Sequence, residues 1–84
     1  MGVTVCDECM AVKVEQDTVG QLLDEAFIFY KEGIRKDDLK LIRALNKYYE
    51  ALKGLENGGG HADCINYIAN EYRRLYKTIA GSRA

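Results

Sequence analysis

The sequence predicts a mainly α fold: a short N-terminal β-hairpin followed by three helices, the last two packed as an antiparallel helical hairpin. Three observations carry this reading. Apolar residues recur at helical spacing over three stretches between residues 18 and 80. A glycine run at residues 58–60 divides the second stretch from the third, and so short a connection sets neighbouring helices antiparallel. Near the N-terminus, Val3 and Val5 flank Thr4, and Met10, Val12 and Val14 alternate with Ala11 and Lys13, the period of a half-buried strand.

At 84 residues the chain has room for one domain, residues 1–84. A chain of this size buries only about 60–65% of its unfolded surface, so a staple would strengthen a marginal core. Three cysteines cannot pair internally without a remainder, and no leader-like segment precedes them, so a secreted disulfide scaffold is not expected. No apolar run approaches the roughly 20 residues that span a bilayer. A cytoplasmic protein with no membrane attachment is the expectation. Charge is uneven along the chain. Residues 1–34 hold two basic and seven acidic side chains, a balance of −5, whereas residues 35–84 hold ten and six, a balance of +4.

The proposed hairpin covers residues 3–14, with Cys6-Asp7-Glu8-Cys9 between its two runs. The first helix opens on a capping box, Thr18-x-x-Gln21, and stops at Gly33, a residue suited to a left-handed C-terminus. Val19, Leu22, Leu23, Ala26, Phe27, Phe29 and Tyr30 share its broad apolar face, and Ile28 lies opposite. The second helix starts at Asp37 or Asp38, where acids suit the positive end of the helix dipole, and runs to Glu56. Its seam is Leu41, Ile42, Leu45, Tyr48, Tyr49, Leu52 and Leu55; Lys36, Lys40, Arg43 and Lys47 line the far side. The third helix, residues 61–80, turns His61, Ile65, Ile68, Tyr72, Leu75 and Ile79 inward and Arg73, Arg74 and Lys77 outward.

All three cysteines and the one histidine of the chain fall into two pairs, Cys6-x-x-Cys9 and His61-x-x-Cys64, with none left over. That is the ligand count and local spacing of a closed zinc site, since zinc takes thiolate and imidazole donors in a tetrahedron. His61 and Cys64, three apart at a helix start, project from one face of the first turn. One structural zinc ion held by Cys6, Cys9, His61 and Cys64 is the expectation. Buried, metal-free thiols are the bland alternative, because free cysteine behaves as a small hydrophobe. A Cys6/Cys9 redox pair is disfavoured by Asp7 and Glu8, whose charges raise a thiol pKa. An iron–sulfur cluster fits the spacing as well.

The four-residue layout resembles a treble-clef zinc finger, in which a knuckle supplies two ligands and the first turn of a helix supplies two more. The resemblance places Cys6 and Cys9 on the knuckle and His61 and Cys64 on the helix. It departs in having Met10 where the knuckle usually has glycine, and in a connection that holds two whole helices.

Four protein ligands leave zinc no open position, and no phosphate loop or nucleophile motif is present, so neither an enzyme nor a small-molecule substrate is expected. The preferred reading is a small zinc-binding helical adaptor or regulator that acts through another protein or a second copy of itself. Ile28, Tyr49 and Tyr67 are its candidate interface residues. The competing reading is nucleic-acid binding by Lys36, Lys40, Arg43, Lys47, Arg73, Arg74 and Lys77. Against it stands a sequence pI near 5.8, where such domains usually exceed about 9.

Overall fold

A computed structural model describes residues 5–34 and 38–82 of the chain. Along these, a one-turn helix α1 (Asp7–Met10) is followed by strands β1 (Lys13–Val14) and β2 (Asp17–Thr18), then helices α2 (Val19–Gly33), α3 (Asp38–Asn57) and α4 (Ala62–Ser82). The mainly α class, the N-terminal antiparallel hairpin and the α3–α4 pair all follow the expectation.

The hairpin lies downstream of the cysteines rather than around them. Cys6-Asp7-Glu8-Cys9 does not form a strand turn, because the Met10 N–H donates to the Cys6 carbonyl at 2.9 Å and the Ala11 N–H to that of Asp7 at 3.1 Å. These i→i+4 bonds wind the segment into a turn of helix, with Asp7 and Glu8 facing its positive end. The strands pair Lys13 with Thr18 and Val14 with Asp17, and Glu15 takes a left-handed φ of 60° in the turn. Val5 is buried, and the expected strand residues Val3 and Thr4 lie outside the described residues.

The capping box forms as expected. The Gln21 N–H donates to Thr18 Oγ1 at 3.2 Å, and the Thr18 N–H donates to Gln21 Oε1 at 2.8 Å. Gly33 ends α2 for a different reason from the one expected: it is not left-handed. A Cβ there would stand 2.6 Å from Leu41 Cδ2 and 2.9 Å from the Leu41 backbone nitrogen, so Gly33 lets α2 and α3 close on each other. The left-handed glycine is Gly59, at φ 76°. The Gly60 N–H donates to the Leu55 carbonyl at 2.8 Å, the 6→1 bond of a Schellman cap that ends α3 and turns the chain into α4.

The uneven charge along the sequence is spent inside the fold. Lys40 Nζ meets Glu32 at 3.3 Å and Lys47 Nζ meets Glu25 at 3.2 Å, so two lysines of α3 pair with two acids of α2 in antiparallel register. Part of the expected basic stripe therefore faces the acidic helix.

Two clusters make the core. Val19, Leu22, Leu55 and Ile68 are each at most 1% exposed and pack with Cys9 and Cys64. A smaller cluster of Leu41, Ala44 and Leu75 fills the far end. Phe27, expected to face inward, is 55% exposed. The buried line of α2 is Val19, Leu22, Ala26 and Gly33, and Phe27 stands 100° round the helix from Ala26, with Lys31 Nζ 5.2 Å above its ring. No described helix is long and apolar enough to cross a membrane.

Candidate metal centre

Four side chains from two distant segments meet at the N-terminal end of α4. Cys6 precedes α1 in extended conformation, ψ 163°, and the single turn that follows returns Cys9 to the same side. His61 stands directly before α4, and Cys64 lies in its first turn. The donor atoms of Cys6, Cys9, His61 and Cys64 all lie within 4.8 Å of one another. The Sγ atoms of Cys6 and Cys64 are 3.7 Å apart, and Cys6 Sγ is 3.3 Å from His61 Nδ1. The edges of a tetrahedron with metal–sulfur bonds of about 2.3 Å and metal–nitrogen bonds of about 2.05 Å are roughly 3.8 Å between sulfurs and roughly 3.6 Å from sulfur to nitrogen. The four residues therefore fit one metal ion.

The protein also supplies a second layer of donors. The Cys6 N–H donates to Cys64 Sγ at 3.4 Å, and the His61 N–H donates to Cys9 Sγ at 3.4 Å. Each bond crosses from one segment to the other, so each half of the site stabilises negative charge on a sulfur of the other half. Backbone donors carry no residue-type signature, which is why the sequence does not reveal them. His61 offers one clue: it stands just ahead of a helix, where N–H groups lack intrahelical partners.

Burial divides the four. Cys9 and Cys64 are 2% and 5% exposed and form part of the core, Cys6 is half-buried, and His61 is exposed. The backbone amide of Cys9 lowers the Cys6 thiol to about 7; the Cys9, His61 and Cys64 side chains assist, and partial desolvation opposes. For Cys9 the His61 amide pulls downward, but desolvation and the sulfurs of Cys6 and Cys64 together outweigh it and push the thiol up to about 11. Two neighbouring thiols are thus driven apart, because neither a second thiolate nor a buried one is tolerated without a cation.

A pH dependence follows. The thiol of Cys9 keeps its proton at neutral pH, and that of Cys6 regains one as pH falls through about 7, so a bound metal must displace both. Protons and metal compete, and affinity rises with pH. Between pH 8 and 6 the apparent zinc affinity should fall by at least about tenfold per unit, with proton release on binding. Competition titrations against a calibrated chelator measure this, and a pH-independent affinity contradicts it.

The other candidate residues are dispersed. Among the basic ones, Lys40 and Lys47 pair with α2 acids, and Arg74 meets Glu71 at 3.7 Å. Arg43, Arg73 and Lys77 are exposed, and Lys36 lies outside the described residues. Ile28 and Tyr49 are 54% and 47% exposed, as an interface requires. Tyr67 is half-buried against the core, and desolvation, then the Glu71 carboxylate, raise its hydroxyl pKa. Tyr76, 57% exposed, is a further surface aromatic beyond the three expected interface residues. Compared with family models, curated proteins and solved structures, the chain matches none.

Proposed function

We propose that Cys6, Cys9, His61 and Cys64 hold one zinc ion as a structural staple, in a layout akin to a treble-clef finger, and that the chain is a small helical adaptor or regulator working through contacts with another protein. The observation that carries this is the convergence of four donors within 4.8 Å from segments more than fifty residues apart. Donors so close suit a single ion; a cluster of several irons and sulfides holds its ligands farther apart. Zinc is favoured among single ions by the three-thiolate, one-imidazole donor set.

Four protein donors fill a tetrahedron, so the ion would bind no water or substrate and the chain would not be an enzyme. In such a site the metal ties α1 to the start of α4, and the N–H donors of Cys6 and His61 offset the charge of three thiolates around a dication. The nucleic-acid reading is weaker, since three of its basic residues already meet acids within the chain.

Cobalt(II) substitution tests the closed site. Tetrahedral cobalt with thiolate ligands should give intense visible d–d bands and sulfur-to-metal charge transfer at one equivalent. Weak absorption of the octahedral kind would mean that water completes the shell, and the structural reading would fall.

A further inference from the structure

The α3–α4 pair is covered on one side by α2; on the other, among the described residues, the β1 turn (Lys13, Val14 and Glu15) reaches the Tyr49–Lys53 end and no helix packs. There Ile42, Leu45, Tyr76, Ile79 and Ala80 line an apolar groove of about 290 Å³. The groove continues along the helices as a row of tyrosines. Ring centroids are 6.0 Å apart between Tyr49 and Tyr72 and 6.4 Å apart between Tyr72 and Tyr76. Tyr49 and Tyr76 leave about half their surface in water, far more than the tyrosines facing α2.

The rim is basic along its α4 edge. Arg73 and Lys77 each follow a groove tyrosine by one position on α4, 100° further round, and both are exposed. On α3, Lys53 Nζ stands 5.7 Å above the Tyr49 ring. The α3 edge is mixed: Glu56 pairs with Lys53 at 3.5 Å, Glu50 follows Tyr49 by one position and with Glu15 lines a pocket beside Tyr49 and Lys53, and Asp38 lies in the first turn of α3 at the groove's far end. The α4 side of the rim has no acid among the described residues from Ala69 to Ala80 except Glu71, which faces the opposite side with Phe27 and Tyr30.

We propose that this groove is the docking site for an amphipathic helix of another protein, with an apolar stripe flanked by acidic residues. The floor supplies the aliphatic and aromatic surface of helix-in-groove recognition, and Arg73 and Lys77 on the α4 edge select a negative flank. A second copy suits it less well. A second copy would bring the same basic α4 edge to the pair, and two acids of α2, Glu25 and Glu32, already pair with Lys47 and Lys40. The inference rests on the reading of the chain as a metal-stapled interaction module and names the chemistry of its partner.

The test uses zinc-loaded, full-length protein, its metal content verified beforehand, and two synthetic amphipathic helices of about five turns. Both carry leucines at i, i+3, i+4 and i+7; one has glutamates on its flanks and the other lysines. The acidic peptide should shift amide resonances around Leu45, Tyr72, Tyr76 and Ile79 and bind at least about tenfold more tightly than its basic twin. Tyr76→Asp should weaken it by a similar factor with zinc content and helicity unchanged, and charge reversal at Arg73 and Lys77 should invert the preference. Equal affinity for both peptides, or shifts away from the groove, overturns the proposal. So does tighter binding of an oligothymidine at the tyrosines, or protection of the groove by self-association in sedimentation. Loss of zinc content before any peptide is added counts against the metal reading instead, so the two failures are separable.

Discussion

Stripping the metal with a strong chelator should abolish the cooperative thermal transition of this protein, and one equivalent of zinc should restore it. The magnitudes decide this. An 84-residue domain has roughly 4–13 kcal/mol of total stability at the usual 0.05–0.15 kcal/mol per residue. The apparent binding free energy of structural zinc in small domains is about 10–16 kcal/mol, comparable to that whole sum. Two donors here, Cys9 and Cys64, belong to the principal core cluster, so releasing the ion also leaves Cys9 and Cys64 buried beside each other with the half-exposed Cys6 against them. The loss should be graded along the chain. Residues 5–19 and the first turns of α4 depend on the site. The α2–α3 pair is held by its own ion pairs and by the close approach at Gly33, so it should keep part of its helicity. Circular dichroism and hydrogen exchange read both features. A melting curve unchanged by chelation would mean that the four donors are merely packed together.

Leu55→Ala should destabilise the fold by about 2–5 kcal/mol, the range for a large aliphatic side chain removed from a packed core. In a domain of this size that lowers the melting temperature by roughly 8–40 °C at about 4–8 °C per kcal/mol. Leu55 is fully buried in the cluster that holds Cys9 and Cys64, and its side chain lies against the Gly60 backbone that leads to His61. The cavity therefore opens beneath the site, and zinc affinity should fall together with stability. Leu75→Ala is the matched comparison: Leu75 is equally core, but in the second cluster at the far end. It should lower stability by a similar amount and leave zinc affinity unchanged at temperatures where the protein stays folded. Equal loss of zinc affinity in both variants would contradict the coupling of site and first cluster.

How legible these features are in the sequence depends on the range over which they are determined. The ligand set is legible because thiol and imidazole are themselves the chemistry, and two x-x spacings leave no spare donor. The start of α2 is legible because its cap closes within four residues, Thr18 to Gln21. The hairpin is misplaced from sequence because a helix as short as α1 has no room to display a period, while the alternation around it does. Phe27 and Gly33 depend on where α3 presses on α2, a long-range fact. The basic stripe is the clearest case. Lys40 and Lys47 carry the same spacing whether they face water or an acidic helix, and only the antiparallel register of α2 and α3 brings Glu32 and Glu25 opposite them.

The most direct measurement is zinc K-edge X-ray absorption on tag-free protein, with the metal quantified in the same sample. One equivalent of zinc with three sulfurs at about 2.3 Å and one nitrogen at about 2.0–2.1 Å is the result that Cys6, Cys9, His61 and Cys64 require. A shell rich in oxygen, or protein that retains no metal yet stays folded, would contradict the staple on which the account depends.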